Sequence, residues 1–137
     1  MKKLTVKASV DKLDEVLNFV NESLERRNCP LDLRRKIDTA VDEIFMNIVR
    51  YAYKSAEGYV AIYISTGEEI LIKFEDAGEP YNPLEQAVPD FDKPLMERKI
   101  GGLGIFMVRQ LMDKVVYRRI GNKNVLTMTK KFEEVDG

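Results

Sequence analysis

No histidine occurs anywhere in the 137-residue chain. That absence excludes Ser-His-Asp and Cys-His catalysis, the usual histidine-bearing zinc sites, and any phosphorelay through a histidine of its own. Cysteine is nearly as scarce. Cys29 stands alone, so neither an intrachain disulfide nor a cysteine-cluster metal site can form. No apolar run approaches the ~18 residues of a membrane span, and Met1-Lys2-Lys3-Leu4 is not followed by a secretory hydrophobic segment. A surplus of one charge sign is missing too. Lys plus Arg number 22 against 23 for Asp plus Glu, a net charge of −1, which disfavours binding to a nucleic-acid backbone. Together these absences point to a cytoplasmic domain with neither a membrane nor a nucleic-acid partner.

What remains is the balance of a globular chain, 45% hydrophobic and 33% charged, with the length of one domain over residues 1–137. Residues 4–10 alternate in character and predict a strand with Leu4, Val6 and Ala8 on one face. Asp11 is the expected cap of a helix running to about Arg27, whose buried stripe is Leu13, Val16, Leu17, Val20 and Leu24. Asn28-Cys29-Pro30 breaks it, and a longer helix is expected over 32–53, with Ile37, Val41, Ile44, Ile48 and Ala52 at helical spacing. Residues 59–65 and 69–75 read as a hairpin around Thr66-Gly67. Four of the five prolines then fall in residues 79–100, a stretch of functional-lid character. Gly101-Gly102-Leu103-Gly104 opens an apolar helix to about Met112, and residues 115–120 and 125–132 close the chain as a second hairpin across 121–124. This order implies an α+β two-layer sandwich, a mixed, mostly antiparallel sheet with helices on one face.

Three places stand out chemically. Glu43 and Asn47, four residues apart, lie on the same flank of the second helix's apolar stripe. They are either a solvated polar pair or a carboxylate base beside an amide oxygen able to ligate a hard cation. Asp76 continues the face of Ile70, Ile72 and Phe74 to the end of its strand, where a carboxylate on the core side is expensive without a donor. It is either a turn aspartate capping its own backbone or the acceptor for a buried amino group such as that of adenine, with Gly78 permitting close approach. The glycines at 101, 102 and 104 are either close packing or a phosphate cradle at a helix N-terminus. In this fixed order the three places would supply a base and metal ligand, a purine anchor and a phosphate cradle, a complete nucleotide site.

Residues 42–53, 74–83 and 100–105, the last continued by Met107-Val108 and Met112-Asp113, resemble the N, G1 and G2 boxes of the histidine-kinase-type (GHKL) ATPase superfamily, within it the RsbW-like anti-sigma factor serine kinases. The resemblance implies that ATP binds with Mg²⁺ held by Asn47, that Asp76 accepts the adenine amino group beside Gly78, and that Gly102, Leu103 and Gly104 meet phosphate through backbone N–H groups. It implies Glu43 as the general base toward a serine hydroxyl. It further implies a STAS-type anti-anti-sigma protein as substrate, a sigma factor as a second partner, a homodimer, and regulation by partner switching. Tyr51 departs from the pattern, standing where many members carry histidine. Lys93, Arg98 and Lys99 of the lid are minor candidates for phosphate-side cations. Two other readings compete: a nucleotide-binding module that sequesters its partner without kinase activity, and a detached sensor-kinase catalytic domain or ATPase.

Overall fold

The computed structural model describes residues 1–53, 57–85 and 100–132. The order of elements is β1 (Lys2–Lys7), α1 (Leu13–Arg26), α2 (Leu31–Tyr51), β2 (Tyr59–Thr66), β3 (Glu69–Asp76), α3 (Ile100–Leu111), β4 (Lys114–Ile120) and β5 (Lys123–Lys131). The strands form one five-stranded sheet in the order β1-β2-β3-β5-β4. All four pairings are antiparallel, so the sheet is less mixed than the sequence reading allowed.

Period-2 alternation decides which side of the sheet is buried. Val60, Ile62 and Ile64 of β2, Ile70, Ile72 and Phe74 of β3, and Leu126 and Met128 of β5 all face the core. The helices cover that side through Val16, Val20 and Leu24 of α1 and Ile37, Val41 and Ile44 of α2, as their 3.6-residue spacing requires. Leu13, Leu17 and Ile48 lie half-buried at the border of the same stripe. The two-layer α+β sandwich is therefore present, with one apolar core between helices and sheet.

Local chemistry moves several boundaries. Asp11 does not cap α1: a 3-10 turn over Val10–Lys12 precedes the helix, and the Asp11 carboxylate is taken by the Ser9 hydroxyl instead. Asn28 ends α1 in the left-handed region (φ 52), a conformation asparagine tolerates, and Pro30 is the residue before α2. The second hairpin turns on Gly121-Asn122 alone, with Gly121 at φ 59, so β5 starts at Lys123, two residues before the sequence reading. The helix α3 starts at Ile100, which places Gly101, Gly102 and Gly104 inside its opening turns rather than ahead of it.

Candidate functional site

The strand β3 delivers Asp76 to the end of the sheet on the core side, where the residue is only 6% exposed. The turn-aspartate reading holds on one of its two oxygens. Asp76 Oδ1 accepts the Gly78 backbone N–H at 2.9 Å and the Asn124 side-chain amide at 2.9 Å. Among the described residues no group donates to Oδ2. Burial pushes the Asp76 carboxyl above the usual carboxylate range, against the opposing pull of the Asn124 and Gly78 hydrogen bonds and of the Arg119 guanidinium. A carboxylate that is buried, destabilised in its charged form and left with an unmade bond is an acceptor set for a ligand's donor.

Asp76 lines a cavity whose other walls include Asn47 and Ala52 of α2 and its end, Phe74 of β3, Tyr81 of the loop after β3, Tyr117 of β4 and Asn124 of β5. Asn47 is 5% exposed, and its Nδ2 donates to the Glu43 carbonyl at 2.7 Å. That local bond commits the nitrogen to the helix, so the other branch of the amide is the oxygen, the atom a hard cation takes. Asn47 and Asp76, 29 positions apart in the sequence rows, thus meet across one space because α2 lies over β3.

Glu43 sits one turn before Asn47 and is half-buried. A Cβ placed on Gly104 would come within 2.1 Å of Glu43 Oε2, so the carboxylate lies directly against the bare backbone of α3. The glycine serves the approach of helix α3 to this side chain. Gly102 and Leu103 lie in the first turn of the same helix. Lys93, Arg98 and Lys99, and with them residues 86–99 of the expected lid, fall outside the described residues.

Gly78 has a second reason to lack a side chain. A Cβ there would lie 2.3 Å from the Ala52 carbonyl oxygen, and the next residue, Glu79, donates its N–H to that same oxygen at 3.0 Å. We expect Gly78→Ala to lower the unfolding free energy by about 2 kcal/mol, because backbone must move to admit the methyl group. The control is Gly67→Ala, where a Cβ meets nothing within 4 Å. Urea denaturation of the two variants should separate them, with the control within about 0.5 kcal/mol of the parent chain.

Three residues escaped the sequence reading. Tyr53 joins three segments: its hydroxyl accepts the Ala77 N–H at 2.8 Å and donates to the Tyr59 carbonyl at 2.8 Å. Tyr81 stacks on Tyr51, ring centroids 4.9 Å apart, so the departure at Tyr51 supplies a stacking face beside the cavity. Asn124, directly opposite Asp76 in the β3–β5 register, is 5% exposed and reaches the aspartate across the strands. Extending the inward alternation of Met128 and Leu126 back two residues would have found it.

For nucleotide binding the donor set fits: a buried acceptor for an amino group, an apolar wall and an aromatic neighbour. For a metal the fit is partial. Among the described residues no group of three His, Cys, Asp or Glu could hold an ion, so Mg²⁺ would rely on phosphate oxygens with one or two protein ligands, its common habit.

Comparison with known proteins agrees with this geometry. Residues 6–130 match the family described as "Histidine kinase-like ATPase domain". The serine/threonine-protein kinase BtrW of Bordetella bronchiseptica is 29% identical over 100 residues, covering 71% of this chain and 70% of that protein. The serine-protein kinase RsbW of Staphylococcus aureus is 34% identical over 104 residues, 70% of this chain and 65% of the relative. RsbW of Bacillus thuringiensis is 32% identical over 81 residues, and there the match spans about half the relative's length, 51%. Among solved structures, the RsbU and RsbW domains of Rv1364c from Mycobacterium tuberculosis superpose with a TM-score of 0.63 at 15% identity, over 96% of this chain and 32% of that one. The catalytic domain of histidine kinase ThkA superposes with a TM-score of 0.52 at 15% identity, over 96% and 97%. These two likenesses concern the fold.

Proposed function

Because the chain belongs to the histidine kinase-like ATPase domain family, we propose that it is an ATP- and Mg²⁺-dependent serine/threonine protein kinase of the anti-sigma type. The observation that carries this reading is Asp76 Oδ2, to which no described residue donates, in a buried cavity shared with Asn47, with Glu43 one turn away. The likeness to relatives named serine-protein kinases supports the choice of acceptor. The substrate in this reading is a STAS-type anti-anti-sigma protein, and a sigma factor is the alternative partner in a switch biased by nucleotide state. The working form is a homodimer in the cytoplasm; no described helix is long and apolar enough to cross a membrane.

The chain's own residues divide the work. Asp76 takes the adenine amino group on Oδ2, and Gly78 holds that carboxylate through its N–H. Backbone N–H groups of Gly102, Leu103 and Gly104, at the positive end of α3, face phosphate. Asn47 offers its amide oxygen to Mg²⁺. When bound, Mg²⁺ neutralises charge on the phosphate oxygens. Glu43 accepts the proton of the substrate hydroxyl as the oxygen bonds to the γ-phosphorus and the bond to the departing ADP oxygen breaks.

Incubation with γ-labelled ATP, Mg²⁺ and a STAS-domain protein tests the proposal. Label on a serine or threonine of the STAS protein is the expected result. Nucleotide bound without transfer would instead leave a sequestering module, and transfer only to a histidine-bearing domain would indicate sensor-kinase chemistry.

A further inference from the structure

The side of the sheet turned away from the helices carries a charge that the composition conceals. In the register of the four strand pairs, that face holds Lys3 and Lys7 of β1, Lys73 of β3, Lys114 and Arg118 of β4, and Lys123 and Lys131 of β5. Its strand carboxylates are Glu69 and Glu75 alone. The whole chain has a net charge of −1, so this face is strongly cationic and the remainder is acidic. Among the described residues the helices pack on the opposite side, and all of these cations but Lys73 are exposed.

Charge on an edge strand is a common guard against unwanted strand pairing. Lys73, Lys123 and Lys131 lie on β3 and β5, inside the sheet, where no such guard is needed. Three large apolar side chains also stand out to solvent on this face: Tyr59 at 57% exposure, Val116 at 45% and Ile120 at 57%. Along β4, an outermost strand, Val116, Arg118 and Ile120 alternate as apolar, cation, apolar.

We propose that this face docks on the surface of an anionic phospholipid bilayer. The lysines and Arg118 meet headgroup phosphates, while Tyr59, Val116 and Ile120 reach the boundary between headgroups and acyl chains. Lipid asks for no shape complementarity, only for cations within a Debye length of the surface, about 8 Å at physiological salt. Other occupants fit less well. A protein partner wants an apolar centre and a polar rim. Here the arrangement is inverted: Lys73 and Glu75 pair at 3.4 Å on the middle strand, and the exposed apolar groups sit at a strand end and along an edge. Single-stranded nucleic acid wants free aromatic faces. The Tyr63 ring is instead taken by Lys73 at 4.4 Å and Lys3 at 5.4 Å from its centroid. A second copy of the same face would set like charges against each other. The face shares no residue with the cavity around Asp76, so docking and nucleotide binding can fail separately.

Flotation of the intact chain with vesicles tests the proposal, using phosphatidylcholine alone and phosphatidylcholine with about a quarter phosphatidylglycerol. The parent should float with the anionic vesicles at about 0.1 M salt, not with the neutral ones, and be released at about 0.5 M. Lys7→Gln with Arg118→Gln should weaken binding roughly thirtyfold, at about 1 kcal/mol per cation. Arg35→Gln with Lys36→Gln removes the same charge from exposed positions on α2 and should change binding less than about threefold. Ile120→Ser should weaken it about fivefold without altering its salt dependence. Thermal melts matching the parent establish that each variant is folded. A parent that does not float with anionic vesicles overturns the proposal, as do equal losses in the α2 and sheet variants. So does oligouridylate bound in place of vesicles, or a dimer that dissociates in the sheet variants alone, since either gives the face another occupant. A chain that floats as expected yet binds no ADP keeps this assignment and removes the nucleotide reading.

Discussion

Asp76→Asn should reduce affinity for ADP and ATP about 100-fold while leaving the fold intact. The replacement is nearly isosteric, and its carbonyl oxygen can still accept from Gly78 and Asn124. With the oxygen so occupied, the new NH₂ takes the place of Oδ2 and meets the adenine amino group donor to donor. Stability should move the other way. The Asp76 carboxyl is raised by burial, so its charge is a burden on the folded state above the folded pKa, and the contribution it makes is fully present only below the ordinary aspartate pKa. As pH rises through the folded pKa that contribution is lost. Asp76→Asn should therefore be more stable than the parent near neutral pH and lack this pH dependence. Calorimetric titration with nucleotide and thermal melts across pH read both effects. Unchanged affinity would remove Asp76 as the purine acceptor; a less stable variant would contradict the account of its burial.

Glu43→Gln should lower the rate of phosphoryl transfer by about 100-fold to 10,000-fold with nucleotide affinity kept. Glutamine fits the space against Gly104 but cannot take up a proton, so binding and positioning survive while proton transfer is lost. Rapid-mixing measurement of transfer to a STAS-domain substrate at saturating ATP gives the rate, and equilibrium dialysis gives the affinity. A variant that transfers at the parent rate would show that positioning and charge neutralisation suffice, as phosphoryl transfer can allow, and Glu43 would then be a packing partner of α3.

Both predictions concern residues that spacing exposes. Ile70, Ile72 and Phe74 put Asp76 on the core face by simple alternation, and the structure buries all four. Glu43 and Asn47 are one turn apart on a long periodic helix, and both sit on its inner flank. Asn124 was hidden for a different reason. Its bond to Asp76 spans 48 residues and exists only because β5 pairs with β3 in one register, itself set by a turn two residues shorter than expected. The Tyr51–Tyr81 stack and the Ala52 contact of Gly78 have the same origin, since each joins the end of α2 to the loop after β3.

Local pattern alone was enough for the element types, the two-layer class, the buried faces of α1, α2 and β3, and the core-side placement of Asp76, because periodicity and turn chemistry act over a few neighbouring residues. The strand order, the wholly antiparallel pairing, the cavity joining Asn47 to Asp76, and which oxygen of Asp76 receives no donor among the described residues were decided only in three dimensions. Those depend on which distant backbones come within hydrogen-bonding distance, and that follows from packing the whole core at once.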